Sequence, residues 1–151
     1  MRSLPRLPEE TRAAFLAACR SHVGKTRFRR QGRNERGVDC IGLIAVSLRE
    51  CGIDWGDVRD YADTPDPARL RAGLVERFGE PVLAWRPGDV VLLRWATRNG
   101  PECHAGVLGM HGDRWTLIHA YLQERRVVEH GLAGDWMKRV SDVFSLTGES
   151  P

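Results

Sequence analysis

The sequence predicts an α+β fold. Three observations carry that expectation. Apolar residues at helical spacing are confined to the first half, short apolar runs of strand length fill the second, and a Gly-Asp pair sits where a tight hairpin turn is needed between two of those runs. The 151 residues are expected to form one domain, 1–151, with flexible ends at 1–7 and 147–151.

The first helix is predicted from Pro8-Glu9-Glu10-Thr11, where proline in the first turn and acids near the positive dipole end favour initiation. Ala14, Phe15, Ala18 and Cys19 recur at near-helical spacing and are expected to face the core, and Gly24 ends the segment. Residues 25–37 are polar, rich in arginine and punctuated by Gly32 and Gly37, as a loop would be. A second helix is expected from Asp39 to about Glu50 and stopped by Gly52, with Ile41, Ile44, Ala45 and Leu48 on one buried face. Turn residues fill 54–66, and a third helix spans Pro67 to Phe78, closed by Gly79.

Strands then follow. Pro87-Gly88-Asp89 is a turn into Val90–Trp95, and a loop around Asn99-Gly100-Pro101 precedes His104–Met110. Gly112-Asp113 has the chemistry of a type II′ turn into Trp115–Tyr121. Further strands are expected at Arg125–Glu129 and near Arg139–Leu146, which gives helices packed on an antiparallel sheet.

Composition excludes several classes. A hydrophobic content of 42% against 28% charged residues fits a soluble globular chain and argues against disorder. The net charge of +3 is carried by arginine, with Lys25 and Lys138 the only lysines. That excess suits contact with carboxylates or phosphates but is too small to indicate nucleic acid. No run reaches the roughly 20 apolar residues of a membrane span, and the N-terminus lacks a signal-peptide pattern, so synthesis in a cytoplasm is expected. Cys19, Cys40, Cys51 and Cys103 form no paired spacing, which argues for reduced thiols over a disulfide framework.

Cys40 opens an apolar helix, where backbone amides and the dipole favour a thiolate. Followed by His104 and His119, it supplies the ingredients of a thiol nucleophile, its base and an orienting third group. A turn centred on Gly112-Asp113 sets His104 opposite Tyr121 and Gly106 opposite His119. The two histidines then share a face on a diagonal of roughly 7–8 Å, and a one-residue slip would separate them. Cys40 meets that face if the N-terminus of its helix lies over the hairpin. Asp39, as N-cap, would raise the thiol pKa, but a nearby imidazolium is expected to win and lower it. Against this stands the plain alternative that Cys40 is a small buried hydrophobe. Cys19, Cys51 and Cys103 read as structural, His22 as a helix-end cation and His111 as a surface turn residue. Glu129 and His130 belong either to the pocket rim or to a strand end. A zinc set of Cys40, Cys103, His104 and His119 is disfavoured, because residues 103 and 104 point to opposite faces of one strand.

Asp39-Cys40-Ile41-Gly42-Leu43, the Pro-Gly-Asp turn before a strand, a histidine opening the next strand and Ile118-His119-Ala120 together resemble the NlpC/P60 cysteine peptidases. Thr26 to Arg33 and Val127-Val128-Glu129-His130 with Trp136 are similar to the cell-wall peptidases of phage tails and gene transfer agents. The resemblance spans roughly residues 12–146. It implies a papain-like fold, with Cys40 as nucleophile, His104 as general base and His119 orienting His104. It also implies Phe28 and Asp39 at the oxyanion site and pocket, Arg33 and Tyr121 as substrate-binding residues, and no cofactor or metal. The implied activity is hydrolysis of amide bonds in peptidoglycan stem peptides, commonly between D-glutamate and a diamino acid. The implied setting is a virion tail with hub or tip proteins as partners, made in a host cytoplasm and acting at the periplasm or cell wall. The sequence departs from the family pattern at Phe28, where many members carry tyrosine, at Ile41, often serine, and at Arg30, often histidine in the subgroup. An assembly subunit of the tail tip with little or no catalysis is the alternative, motivated by Phe28 and the arginine-rich loop.

Overall fold

Four helices and seven strands make up the computed structural model, which describes residues 7–55, 66–95 and 99–147. In order they are α1 (Glu9–Ser21), β1 (Arg33–Asn34), β2 (Gly37–Val38), α2 (Cys40–Glu50), α3 (Pro67–Phe78), β3 (Val90–Leu93), β4 (His104–His111), β5 (Arg114–Tyr121), β6 (Arg126–Gly131), α4 (Asp135–Lys138) and β7 (Val140–Phe144). Of the expected flexible ends, residues 1–6 and 148–151 lie outside the described residues, as does most of the turn-rich 54–66 segment, whereas Thr147 is buried and bonded to Arg12. Among the described residues no helix is long and apolar enough to cross a membrane.

Helices α2 and α3 begin at side-chain caps. Asp39 caps α2 by accepting from the Gly42 amide, and Asp66 caps α3 by accepting from Ala68 and Arg69, with Pro67 at the first helical position. Gly79, at φ +86°, closes α3. Helix α1 departs from expectation on its buried face: Ala14 is exposed, and Arg12 is buried beside Phe15 and Cys19. The cause lies across the fold. Asp89, fully buried in the turn before β3, pairs with the Arg12 guanidinium, which also donates to Thr147. Burial raises the Asp89 carboxyl above the usual range, the adjacent guanidinium opposing this.

Strands β6-β5-β4-β3-β7 form one antiparallel sheet in that order. Strand alternation splits it into two apolar faces. Ala105, Val107, Ile118, Ala120 and Val127 pack with α1 and α2, while Val91, Leu93, Leu108, Leu117 and Val143 form a second cluster with Trp115 and Trp136. The β4–β5 hairpin has the expected register, Val107 opposite Ile118 through His111 opposite Arg114. Gly112 takes φ +62° at the turn, the conformation a type II′ turn demands of its first central residue.

The segment expected to be a loop at 25–37 is more ordered than its composition suggests. Gly24 donates to the Val127 carbonyl, Val127 donates to Thr26 and Phe28 donates to Arg125, so this strap lines the free edge of β6. It then doubles back through the β1–β2 hairpin, with Phe28 beside Val38, and delivers the chain to Cys40. A short polar segment has too little side-chain periodicity to announce edge pairing of this kind.

Candidate active site

Cys40 is the first residue of α2 and is buried. Three interactions of Asp39 fix its position: the carboxylate accepts from the Gly42 amide at 2.8 Å, the Gln31 amide at 2.8 Å and the Arg33 guanidinium at 3.0 Å. Arg33 is itself buried, donates also to the Gly32 carbonyl, and ties the strap to the helix start. Asp39 and Arg33 thus hold the backbone around Cys40 in place, and their charged groups are engaged with each other.

The helix covers the sheet face carrying Ala105 and Val107, whereas alternation sends His104 to the other face. Cys40 therefore does not lie over the histidine face as expected. Its sulfur reaches the start of β4, where the backbone amide of Ala105, the residue after His104, hydrogen-bonds it together with the Ile41 amide. No hydrogen bond joins the thiol to His104 among the described residues.

His104 and His119 are brought together as the register predicts. His104 Nε2 lies 2.7 Å from His119 Nδ1, which leaves His104 Nδ1 as its remaining basic nitrogen. Tyr121 stacks on His119 at 5.0 Å between ring centroids, and Trp95 lies over His104 at 4.8 Å. Trp136 closes the far side, 5.2 Å from His119, with the Arg139 guanidinium over its outer face at 4.3 Å. Phe28 is half-buried against the helix-side core. Glu129 is not at the rim: it faces α1, bonded to Arg20 and Thr116.

Sequence reasoning missed Trp95 and Arg139 as neighbours of the site. Trp95 stands at the end of an expected strand, two positions beyond the ladder. Arg139 was one arginine among many, and only the α4 turn brings it over Trp136.

Electrostatics also depart from expectation. Burial pushes the Cys40 thiol up to about 12, with the Asp39 charge adding to the rise and the Ala105 and Ile41 amides opposing it. Burial likewise pushes His104 down to about 3, helped by the positive charge of Arg139. His119 is lowered well below the usual imidazole range by burial and its charged neighbours. The resting pair is therefore a neutral thiol and a neutral imidazole. Desolvation is the largest cause of both shifts, since burial withholds water from both charged forms.

A cleft of about 670 Å³ opens beside Phe28, between the strap and the turn that follows Tyr121. Lys25, Arg27, Arg125 and Arg126 give it a cationic rim, with Leu122 as an apolar contact and Glu124 as the opposing charge.

No family model matches this chain, and no curated protein matches it. Solved structures match in fold. An NlpC/P60 family protein from Bacillus cereus gives a TM-score of 0.62 at 14% identity, over 95% of this chain and 42% of its own. NlpC1 from Trichomonas vaginalis gives 0.64 at 18%, over 89% of this chain and 43% of that one. The NlpC/p60 domain of the peptidoglycan hydrolase SagA gives 0.57 at 19%, over 89% and 98% respectively. The chain thus has the papain-like NlpC/P60 fold, and it spans less than half the length of the Bacillus and Trichomonas proteins.

Proposed function

We propose that this chain is an NlpC/P60-type cysteine peptidase acting on peptidoglycan stem peptides. The observation that carries the proposal is the 2.7 Å contact of His104 Nε2 with His119. It orients one imidazole, leaves its Nδ1 free, and does so at the strand position next to the amide that touches Cys40. The cationic cleft beside Phe28 suits an acidic substrate such as a stem peptide, whose carboxylates the four basic side chains would meet.

In the reaction, substrate binding brings His104 Nδ1 within reach of the sulfur, and the Cys40 proton passes to it as the sulfur attacks the amide carbonyl carbon. The Cys40 backbone N–H, at the positive end of α2, faces the developing oxyanion. His104 then returns the proton to the leaving amine, and water hydrolyses the thioester to free the thiol and a carboxylate. His119 holds His104 in orientation throughout. Substrate entry supplies the polar contacts that the resting, desolvated pair lacks.

The test is digestion of purified sacculi, with soluble fragments and new amine termini identified by mass spectrometry. Wild-type protein should release stem-peptide fragments, and Cys40→Ala and His104→Ala should not. Intact sacculi under conditions where the protein is folded would reject the proposal.

The finer setting proposed is a phage or phage-like tail, in which the enzyme opens the wall locally beside hub or tip proteins. It is supported by the likeness of the Thr26–Arg33 strap to that subgroup. Closure of the site favours a second reading, an assembly subunit with weak catalysis, since the resting thiol is protonated and buried. Virions carrying Cys40→Ala separate the two: normal assembly with lost wall penetration supports the enzyme, and unimpaired infection supports the subunit.

A further inference from the structure

The histidine pair continues into a line of three. His119 Nε2 lies 2.8 Å from His130 Nε2, and His130 Nδ1 lies 3.0 Å from the carbonyl oxygen of Gly131. His130 stands opposite Leu117 in the β5–β6 ladder, one diagonal step from His119 on the same face. The line therefore runs across three adjacent strands, from the start of β4 to the end of β6.

Its far end fixes its direction. A carbonyl oxygen only accepts, so His130 Nδ1 carries the hydrogen. In a neutral imidazole the second nitrogen is then an acceptor, and His130 Nε2 must receive a hydrogen from His119 Nε2. The same step repeats once more: His119 Nδ1 accepts, and His104 donates from Nε2. What remains is a bare lone pair on His104 Nδ1. The neutral forms required are those that burial favours for His104 and His119.

The surroundings hold the line in place. Trp136 contacts both His119 and His130, Tyr121 stacks on His119, and Trp95 covers His104. The Arg139 guanidinium, over Trp136 and bonded to Asp135, adds a positive charge that disfavours a proton on His104 and His119.

We propose that His130 is a positioning residue which, anchored on the Gly131 carbonyl and acting through His119, locks His104 in the tautomer whose Nδ1 can take the Cys40 proton. This rests on the peptidase reading for the use of Nδ1, whereas the tautomer itself is a property of the folded chain. With no acceptor at position 130, His119 is free to turn its hydrogen toward His104. That would place the competing hydrogen on His104 Nδ1, where it blocks proton transfer. A donor at position 130 would impose that reversed state.

Long-range ¹H–¹⁵N imidazole spectra of the full chain at neutral pH test the proposal. Expected are Nε2–H forms for His104 and His119 and the Nδ1–H form for His130. His130→Gln, whose side-chain carbonyl can accept from His119, should preserve the first two. His130→Lys, which can only donate, should convert His104 to its Nδ1–H form. In sacculus digestion the lysine variant should lose on the order of 100-fold in kcat with KM little changed, and the glutamine variant should stay near wild type. A His104 Nδ1–H form in the wild-type chain overturns the proposal, as does a lysine variant that folds and keeps the wild-type tautomers. Should the lysine variant fail to fold, the wild-type and glutamine spectra still decide. Spectra as expected from a protein that leaves sacculi intact would support the tautomer lock and reject the hydrolase.

Discussion

Gly42 sits two residues after Cys40, where α2 meets the strap at van der Waals limits, and its replacement by alanine should destabilise the fold. A β-carbon there would lie 2.1 Å from the Gly32 carbonyl oxygen and 2.9 Å from the Arg33 guanidinium. The first distance is more than an ångström short of ordinary contact, and the obstacle is backbone. The strap has little room to retreat, since a β-carbon at Gly32 would lie 2.2 Å from the Gly37 carbonyl oxygen. Overpacking of this kind costs about 1–3 kcal/mol, offset by about 1 kcal/mol gained when alanine replaces glycine inside a helix. With a backbone obstacle the cost falls in the upper part of that range, and a net loss approaching about 2 kcal/mol should lower Tm by about 4–8 °C for a chain of this size. Gly73 in α3 provides the contrast. Its β-carbon would meet only the Arg77 guanidinium, at an ordinary 3.5 Å, so Gly73→Ala should leave Tm unchanged or raise it. Thermal and urea unfolding of both variants measure this. A Gly42→Ala protein as stable as wild type, or both glycines responding alike, would refute the argument from close approach.

Arg12→Met should destabilise by about 3–5 kcal/mol, because it leaves the fully buried Asp89 without its guanidinium. Adding Asp89→Asn should recover part of that loss in urea unfolding. Stability should also fall with acid. His104 holds its proton only below about 3 in the folded chain against an ordinary 6.5, so its contribution is complete above 6.5 and is lost as pH falls toward 3. His119 shifts in the same direction. Unfolding free energies across that range should decline by about a few kcal/mol, and His104→Gln should flatten the curve.

Much of this architecture is legible in the residues, and the exceptions have identifiable causes. Helix α3 announces itself through Asp66-Pro67 at one end and Gly79 at the other, both local signals. The histidine pair is legible because a two-residue turn leaves one register, and parity does the rest. Arg12 is not, since only the Asp89 turn, far along the chain, gives a buried guanidinium its counter-ion. Nor is the edge pairing of the strap, which backbone groups carry without a side-chain pattern. The protonation state of Cys40 is not legible for a related reason: the helix start is visible in the sequence, but the degree of desolvation is set by the whole fold. His130 could have been found from parity, as it lies one strand over on the His119 diagonal.

The central claim is that Cys40 is a nucleophile kept protonated at rest and engaged by substrate. The direct measurement is intact-protein mass spectrometry at neutral pH with two electrophiles: iodoacetamide, and a stem peptide carrying an aldehyde in place of the scissile carbonyl. The account predicts slow alkylation of Cys40 by iodoacetamide and a reversible stem-peptide adduct on Cys40 that His104→Ala abolishes. Rapid alkylation of the resting thiol with no stem-peptide adduct would contradict it.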